Sequence, residues 1–208
     1  MEDIMQFAQF VLGMISTNCY LMHNRREAVV FDPGGEPDEV LAYLESNKLK
    51  LTHIFNTHLH FDHIYGNRPL SEATGAPVLA NSRDDYLIAT DRATASFGMP
   101  PVPRFTFQNI DEGSMSILDT PMRILATPGH TPGSLSFYLP EHGKLFSGDV
   151  LFYRAVGRTD FAGGDTQALL ASIKEKLYAL PDDTIVYAGH ELATTIGGEK
   201  KHNPYVRG

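Results

Sequence analysis

Short apolar runs alternate with amphipathic segments along the whole chain, and this pattern predicts a mixed α/β protein. In the first half, β-branched and aromatic residues predict strands at 19–22, 28–31, 51–55 and 77–80. In the second half, the same pattern predicts strands at 123–126, 134–139, 144–147 and 184–188. Periodicity alone leaves open how the sheets of such a protein are arranged.

Helices are predicted between these strands. One begins at 36–39, where proline and acidic residues suit a first turn, and another is predicted near 67–74. A longer helix over 166–180 has an apolar stripe and Asp165 as its N-cap. No tandem repeat, low-complexity tract or linker is visible, so a single domain over 1–208 is expected.

Composition and charge narrow the range of partners. Of the 208 residues, 42% are hydrophobic and 20% are charged, as in an ordinary folded protein. The net charge of −8 argues against nucleic acid or a membrane as a partner, because both attract clustered Lys and Arg. The acidic start at 1–3 is unlike a secretory signal, and a single cysteine, Cys19, requires no oxidising compartment. A cytoplasmic protein that binds a small molecule is expected, with its oligomeric state left open.

The candidate chemistry lies in loops that follow predicted strands. The loop His58-Leu-His60-Phe-Asp62-His63 places four ligand-type side chains within six residues. Imidazole nitrogen and carboxylate oxygen are ligands of zinc, iron and manganese. Such a spaced cluster favours a metal site over a chance group of surface histidines.

Three later loops add single candidates beside glycine, namely His130, Asp149 and His190. Each is a weak signal alone, but together with the first loop they make a group of ligand types that is too large for one tetrahedral ion. The group suits two ions that share one carboxylate and a bridging solvent. Positions left to solvent are typical of catalytic sites, since structural sites are closed by protein ligands.

These loops together resemble the metallo-β-lactamase superfamily, and the resemblance covers nearly the whole chain. The segments 157–161 and 203–207 are similar to the glyoxalase II (hydroxyacylglutathione hydrolase) branch. The resemblance implies an αββα sandwich with the metals at one edge of the two sheets. The chain is expected to be a short form, without the C-terminal helical extension of glyoxalase II.

The resemblance also implies two divalent metal ions, with zinc expected first and iron or manganese acceptable. The implied ligands of the first ion are His58, His60 and His130. Those of the second ion are Asp62, His63 and His190, with Asp149 bridging both.

The implied reaction is hydrolysis of a small thioester, an S-acylglutathione or a related acyl-thiol, by attack of a metal-bridged hydroxide. Asp62 is a ligand that would also orient the hydroxide. Asp32 either accepts a hydrogen bond from a ligating histidine or is a turn residue. Arg158 either binds a substrate carboxylate or pairs with Asp160 or Asp165 in its own loop. The absent extension predicts a more open pocket that is less selective for glutathione.

Other functions fit parts of the same pattern. Segment 157–161 also resembles persulfide dioxygenases with one iron, which would need only His58, His130 and Asp149. A lactone hydrolase is a lesser alternative, and a non-enzymatic metal-binding scaffold is the least favoured. The charges at 199–201 are expected to be solvated.

Overall fold

The computed structural model describes residues 5–89, 94, 98 and 100–208. The chain divides into two compact units, Met1–Ile110 and Asp111–Gly208, and each contains one six-stranded sheet. Within the described part of the chain, no helix is long and apolar enough to cross a membrane. The expectation of a single domain stays a prediction.

The first unit starts with an antiparallel meander and continues with parallel strands. Its strands are β1 (Gln6–Leu12), β2 (Thr17–His23), β3 (Glu27–Phe31), β4 (Lys50–Phe55), β5 (Val78–Ala80) and β6 (Gln108–Asn109). They lie side by side in that order, and the pairs from β3 to β6 are parallel. Parallel strands end at the same sheet edge, so the loops after β3 and β4 meet there.

Helices of the first unit occupy the connections between these strands. They are α1 (Asp38–Ser46), α2 (Phe61–Ile64), α3 (Asn67–Thr74) and α4 (Asp85–Ala89), with a 3₁₀ turn at Ser82–Asp84. The apolar face of α1 buries Val40 and Leu44, and α3 buries Leu70. These side chains pack in one cluster with Val30 and Ile54 of the central strands. These contacts hold α1 and α3 against the sheet, whereas the short helix α2 carries two of the candidate ligands.

The second unit has a mostly antiparallel sheet and a separate hairpin. Its strands are β7 (Gly113–Ile117), β8 (Thr120–Ala126), β9 (Leu135–Leu139), β10 (Lys144–Gly148), β11 (Leu151–Phe152), β12 (Ala155–Val156), β13 (Ile185–Ala188) and β14 (Thr194–Thr195). The sheet order is β14-β13-β10-β9-β8-β7, and β11 pairs with β12 apart from it. Only β10 and β13 are parallel among these pairs, so the loops after them lie at one edge.

The predicted long helix is shorter and less regular than expected. Asp165 caps it as predicted, accepting hydrogen bonds from the backbone N–H groups of Gln167 and Ala168 at 2.8 and 3.0 Å. Regular helix α5 covers only Thr166–Ala171 and continues as a π-helical turn over Ser172–Leu177. Its apolar stripe, which includes Leu169 and Ile173, packs in the core of this unit as the pattern predicts.

One expectation for the C-terminal segment is wrong. Glu199, in helix α6 (Ile196–His202), is fully buried instead of solvated. It forms an ion pair of 3.0 Å with Arg154, which offsets the cost of burying a carboxylate. Lys201 is exposed as expected.

Candidate metal centre

In the first unit, candidate ligands gather where the parallel strands β3 and β4 end. Asp32 directly follows β3, and the segment from Asn56 to His60 joins β4 to α2. Asp62 and His63 lie on the first turn of α2. The sequence predicts that the ligand-type residues of 58–63 lie together, because they are close neighbours along the chain. The parallel pairing of β3 with β4 brings Asp32 beside them.

The four side chains of the 58–63 loop form a compact, mostly buried cluster. The His58 ring lies 4.7 Å from the His60 ring and 4.1 Å from the His63 ring, measured between centroids. His63 Nε2 lies 3.5 Å from Asp62 Oδ2. His58 and His63 are 1% and 0% exposed, so their positions are set by packing and not by solvent.

Asp32 determines which nitrogen of His63 carries the proton. Its Oδ2 lies 3.0 Å from His63 Nδ1, and a carboxylate oxygen can only accept a hydrogen bond. His63 Nδ1 is therefore the protonated nitrogen, and the lone pair lies on Nε2. Ligating histidines typically use this arrangement, with the other ring nitrogen donating to a carboxylate or carbonyl. Asp32 therefore has the first of the two roles left open for it, that of accepting a hydrogen bond from a candidate ligating histidine.

Thr57 determines the tautomer of His58 in a similar way. The Thr57 hydroxyl donates to Asp32 Oδ2 at 2.7 Å, so its single proton is already used. The hydroxyl oxygen lies 3.1 Å from His58 Nδ1 and must act as the acceptor of that contact. His58 therefore also presents its Nε2 lone pair. Sequence reasoning missed Thr57, because a threonine beside a histidine is not by itself a signal.

In the second unit, Asp149 lies between two imidazoles. Its Oδ2 is 3.6 Å from His130 Nε2 and 3.7 Å from His190 Nε2. Both distances are longer than a hydrogen bond, and both nitrogens point toward the same carboxylate oxygen. Asp149 and His190 follow the parallel neighbours β10 and β13, which explains why residues 41 positions apart along the chain meet.

The backbone of the same unit fixes the tautomer of His130. Its Nδ1 lies 2.7 Å from the carbonyl oxygen of Arg158, which can only accept. The proton is therefore on Nδ1 and the lone pair on Nε2, the nitrogen that points toward Asp149. The three candidate histidines with an assigned tautomer, His58, His63 and His130, thus all offer Nε2, as a metal site requires.

Arg158 pairs with Asp160 in its own loop, which is one of the two alternatives left open for it. Its Nε and Nη2 each donate to Asp160 at 2.7 Å, and its guanidinium lies 3.9 Å from the centre of the Phe161 ring. The hydrogen bond from Arg158 lowers the pKa of Asp160 to about 2. Both side chains are more than half exposed, at 57% and 66%.

The lone cysteine is not a nucleophile candidate. Cys19 is fully buried in β2, and burial raises the pKa of its thiol well above the ordinary value. A protonated buried thiol is inert, since the thiolate is the reactive form. The side chain acts as a small apolar group.

A glycine beside the first cluster allows the backbone to pass closely. A Cβ at Gly34 would overlap the carbonyl oxygen of Asp62 and crowd Thr17. We expect Gly34→Ala to lower the free energy of unfolding by about 2 kcal/mol, because the backbone of α2 would have to shift. The matched control is Gly113→Ala, where a Cβ would meet nothing within 4 Å, and which should be neutral or stabilising by about 0.5 kcal/mol. Urea unfolding of both variants measures the difference, and equal stabilities would contradict this packing.

The sequence model of the metallo-β-lactamase superfamily matches residues 12–190. The chain belongs to this superfamily. The matched span contains every candidate ligand described above. The fold class predicted from the sequence, that of the metallo-β-lactamase superfamily, is confirmed by this match and by the solved structures below.

Two curated relatives of this superfamily member are similar over nearly their whole length. Hydroxyacylglutathione hydrolase GloC of Haemophilus influenzae is 38% identical over 195 residues, covering 91% of this chain and 92% of GloC. The probable metallo-hydrolase YqgX of Bacillus subtilis is 34% identical over 209 residues, covering 98% and 99%. The chain is therefore a metal-dependent hydrolase of the superfamily.

Solved structures give the same result for the fold. The B3 metallo-β-lactamase BLEG-1 superposes with a TM-score of 0.90 at 38% identity, over 98% of this chain and 100% of that one. TTHA1623 in a di-iron-bound form gives 0.88 at 38% identity, over 96% and 100%. ETHE1 of Myxococcus xanthus gives 0.78 at 34% identity, over 96% and 83%.

The donor set of this chain fits divalent ions. It consists of imidazoles and carboxylates without a thiolate, and such sets accept zinc, iron and manganese. The fixed Nε2 lone pairs and the carboxylate placed between two imidazoles are the features expected of residues that bind metal directly.

Proposed function

We propose that this chain is a binuclear metal-dependent hydrolase of small thioesters, with an S-acylglutathione or a related acyl-thiol as substrate. The similarity to GloC over 91% of the chain supports the substrate class. The observation that carries the metal assignment is the placement of Asp149 Oδ2 at 3.6 and 3.7 Å from the Nε2 atoms of two histidines. A carboxylate oxygen in that position suits a ligand shared by two ions.

The proposed ligands are those implied by the superfamily. His58, His60 and His130 would hold one ion, and Asp62, His63 and His190 the other, with Asp149 shared. When bound, such ions supply a solvent nucleophile at neutral pH and a Lewis acid for the carbonyl oxygen. Zinc is our first expectation, while the di-iron form of TTHA1623 supports iron as an alternative.

The protein's own residues would orient and hold the reacting groups. Asp62 is buried and has Thr17 as a hydrogen-bond donor at 3.4 Å, so its carboxylate is held in one direction and could orient the attacking solvent. Asp32 and Thr57 keep two imidazoles in one tautomer. A thiolate leaving group needs little protonation, so the reaction requires no strong general acid from the chain.

We further propose that Arg158 contributes to recognition of a substrate carboxylate, in competition with Asp160. An intramolecular carboxylate two residues away acts at an effective concentration of roughly millimolar or more. A substrate carboxylate must displace it before it can use the paired donors of the guanidinium. This competition would make the chain less selective for glutathione than Arg158 alone would suggest.

Asp160→Asn is expected to lower KM for an S-acylglutathione by about threefold to tenfold, because Arg158 is released for the substrate. KM for the same acyl group on N-acetylcysteamine, which has no carboxylate, should not change. Since the pKa of Asp160 is about 2 against an ordinary 3.8, the pair is intact above about pH 5 and is lost only as the pH falls through 2. The effect should therefore be constant from pH 6 to 8.

The control for this substitution removes the same charge elsewhere. Glu72→Gln breaks an exposed ion pair of 2.8 Å with Arg68 in the first unit. It should leave both KM values unchanged. Equal changes for the two substrates in Asp160→Asn would contradict the role of Arg158.

A substrate panel tests the proposed function. Protein loaded with each of zinc, iron and manganese would be assayed with S-acylglutathiones, other acyl-thiols and lactones, and for oxygen uptake with glutathione persulfide. The proposal predicts the highest kcat/KM with a thioester. Turnover of persulfide with oxygen but not of thioesters would replace it with the mononuclear iron alternative, and a preference for lactones would replace it with the lactonase alternative.

Location and other partners stay proposals. We propose a cytoplasmic protein with a small molecule as its main partner and with neither nucleic acid nor membrane, on the basis of the net charge of −8.

A further inference from the structure

We propose that Glu199 is a positioning residue for the candidate metal ligands His130 and Asp149, acting through the β11–β12 hairpin. The proposal rests on the ligand roles proposed above. Glu199 lies on helix α6, outside the ligand set, and it is 0% exposed. Glu199, the hairpin and both ligands lie within the second unit.

Each carboxylate oxygen of Glu199 accepts two hydrogen bonds. Oε1 accepts from Arg154 Nη1 at 3.0 Å and from the Thr194 hydroxyl at 2.6 Å. Oε2 accepts from the backbone N–H of Arg154 at 3.0 Å and from Asn203 Nδ2 at 2.9 Å. A buried carboxylate with four donors is strongly held, because any rearrangement would leave charge without compensation.

These contacts hold the tip of the hairpin. Arg154 lies in the turn between β11 and β12 and has φ of +57°, a conformation that residues other than glycine rarely adopt. Its Nη1 also donates to the carbonyl oxygen of Gly198 at 2.6 Å. Asn203 Nδ2 donates to the carbonyl oxygen of Ala155 at 3.1 Å. The turn is therefore fixed to helix α6 and to the residue that follows it.

The base of the hairpin is continuous with the candidate ligands. Asp149 lies just before β11, and Arg158, whose carbonyl oxygen accepts from His130 Nδ1 at 2.7 Å, lies just after β12. The base is closed by a hydrogen bond of 3.2 Å from the Gly157 N–H to Val150. A Cβ at Gly157 would overlap the carbonyl oxygen of Asp149. Because the strands at the base pass so closely, a displaced hairpin would move both the Arg158 carbonyl and Asp149.

The same network gives a role to the C-terminal tail. Asn203 accepts hydrogen bonds from the backbone N–H groups of Tyr205 and Val206 at 3.0 and 3.3 Å, while its amide group donates to Glu199. The tail segment 203–207 is thus held by the same asparagine that contacts Glu199 and the hairpin. It acts on the ligands through the hairpin and needs no contact with substrate.

The test is Glu199→Gln, studied without metal by NMR. The amide group of glutamine would point a donor at two existing donors, so the hairpin should be released. We expect His130, an Nδ1–H tautomer in the original protein, to show a mixture of tautomers by ¹⁵N shifts. Amide exchange over 150–158 should become at least about tenfold faster, and metal affinity should fall by about 10–100-fold. Unchanged tautomer and exchange in the folded variant would overturn the proposal.

Two further variants keep the test decisive. Lys200→Ala removes an ion pair of 2.5 Å with Asp182 from the same helix and should leave the His130 tautomer unchanged. If Glu199→Gln does not fold, Arg154→Met replaces it, since methionine keeps an unbranched side chain but donates to neither Glu199 nor Gly198. An unchanged tautomer in that variant would also overturn the proposal. Neither readout depends on thioester hydrolysis, so failure here is distinguishable from failure of the proposed function.

Discussion

His58→Ala is expected to lower kcat/KM for an S-acylglutathione by at least about a thousandfold. His58 is the histidine whose ring lies near both His60 and His63, and its Nε2 lone pair is fixed through Thr57. Loss of one ligand removes the ion that would supply the nucleophile and the Lewis acid, which together are worth several kcal/mol of transition-state stabilisation. The thioester assay measures the effect directly.

The matched control for this variant is His202→Ala. His202 is an exposed histidine in the last turn of helix α6 and has no part in the proposed site. It should keep full activity and full metal content. A His58→Ala protein that is folded and retains more than about a tenth of the original kcat/KM would contradict the site assignment as a whole.

Asp32→Asn is expected to weaken the binding of both ions by about 10–100-fold. The carboxylate accepts from His63 directly and from Thr57, which in turn accepts from His58. Those two contacts use Oδ2, and Oδ1 accepts a further hydrogen bond from the backbone N–H of Thr57 at 2.8 Å. Asparagine has one acceptor oxygen and an amide donor, so its amide group would face one of these donors. It tolerates the φ of +50° at this position better than other residues, which keeps the backbone effect small.

Thr57→Val distinguishes the support that Asp32 gives to His58 from the support that it gives to His63. It removes the hydroxyl that links Asp32 to His58 but leaves the contact of 3.0 Å between Asp32 and His63. Chelator competition should show that Thr57→Val weakens only the ion bound by His58, whereas Asp32→Asn weakens both. Identical losses in the two variants would contradict this division, and no loss in Asp32→Asn would show that Asp32 does not support metal binding.

Much of the fold and the ligand cluster could be predicted because their signals are local. The loop 58–63 is contiguous, and strands such as β3 and β4 are short apolar runs. Strand β1 was not predicted, since it lies at a sheet edge with most side chains at least partly exposed and shows no clear alternation. Strand β7, also at an edge and rich in serine, was missed for the same reason.

The residues that support the ligands could not be predicted, because their partners are distant along the chain. Thr57 acquires its role only when parallel pairing brings Asp32 beside it. Glu199 stands beside two lysines in the sequence, which suggests a solvated surface, yet its partner Arg154 is 45 positions away. Arg158 and Asp160 are two residues apart, but only the side-chain geometry shows that they pair.

The proposed hydrolysis depends on two divalent ions held by this chain. The most direct measurement is the identity and number of metal ions per chain, by elemental mass spectrometry, in protein purified without added metal and again after reloading. We expect about two ions per chain, zinc or zinc mixed with iron or manganese. One iron per chain that does not rise on reloading, together with persulfide-dependent oxygen uptake, would contradict it.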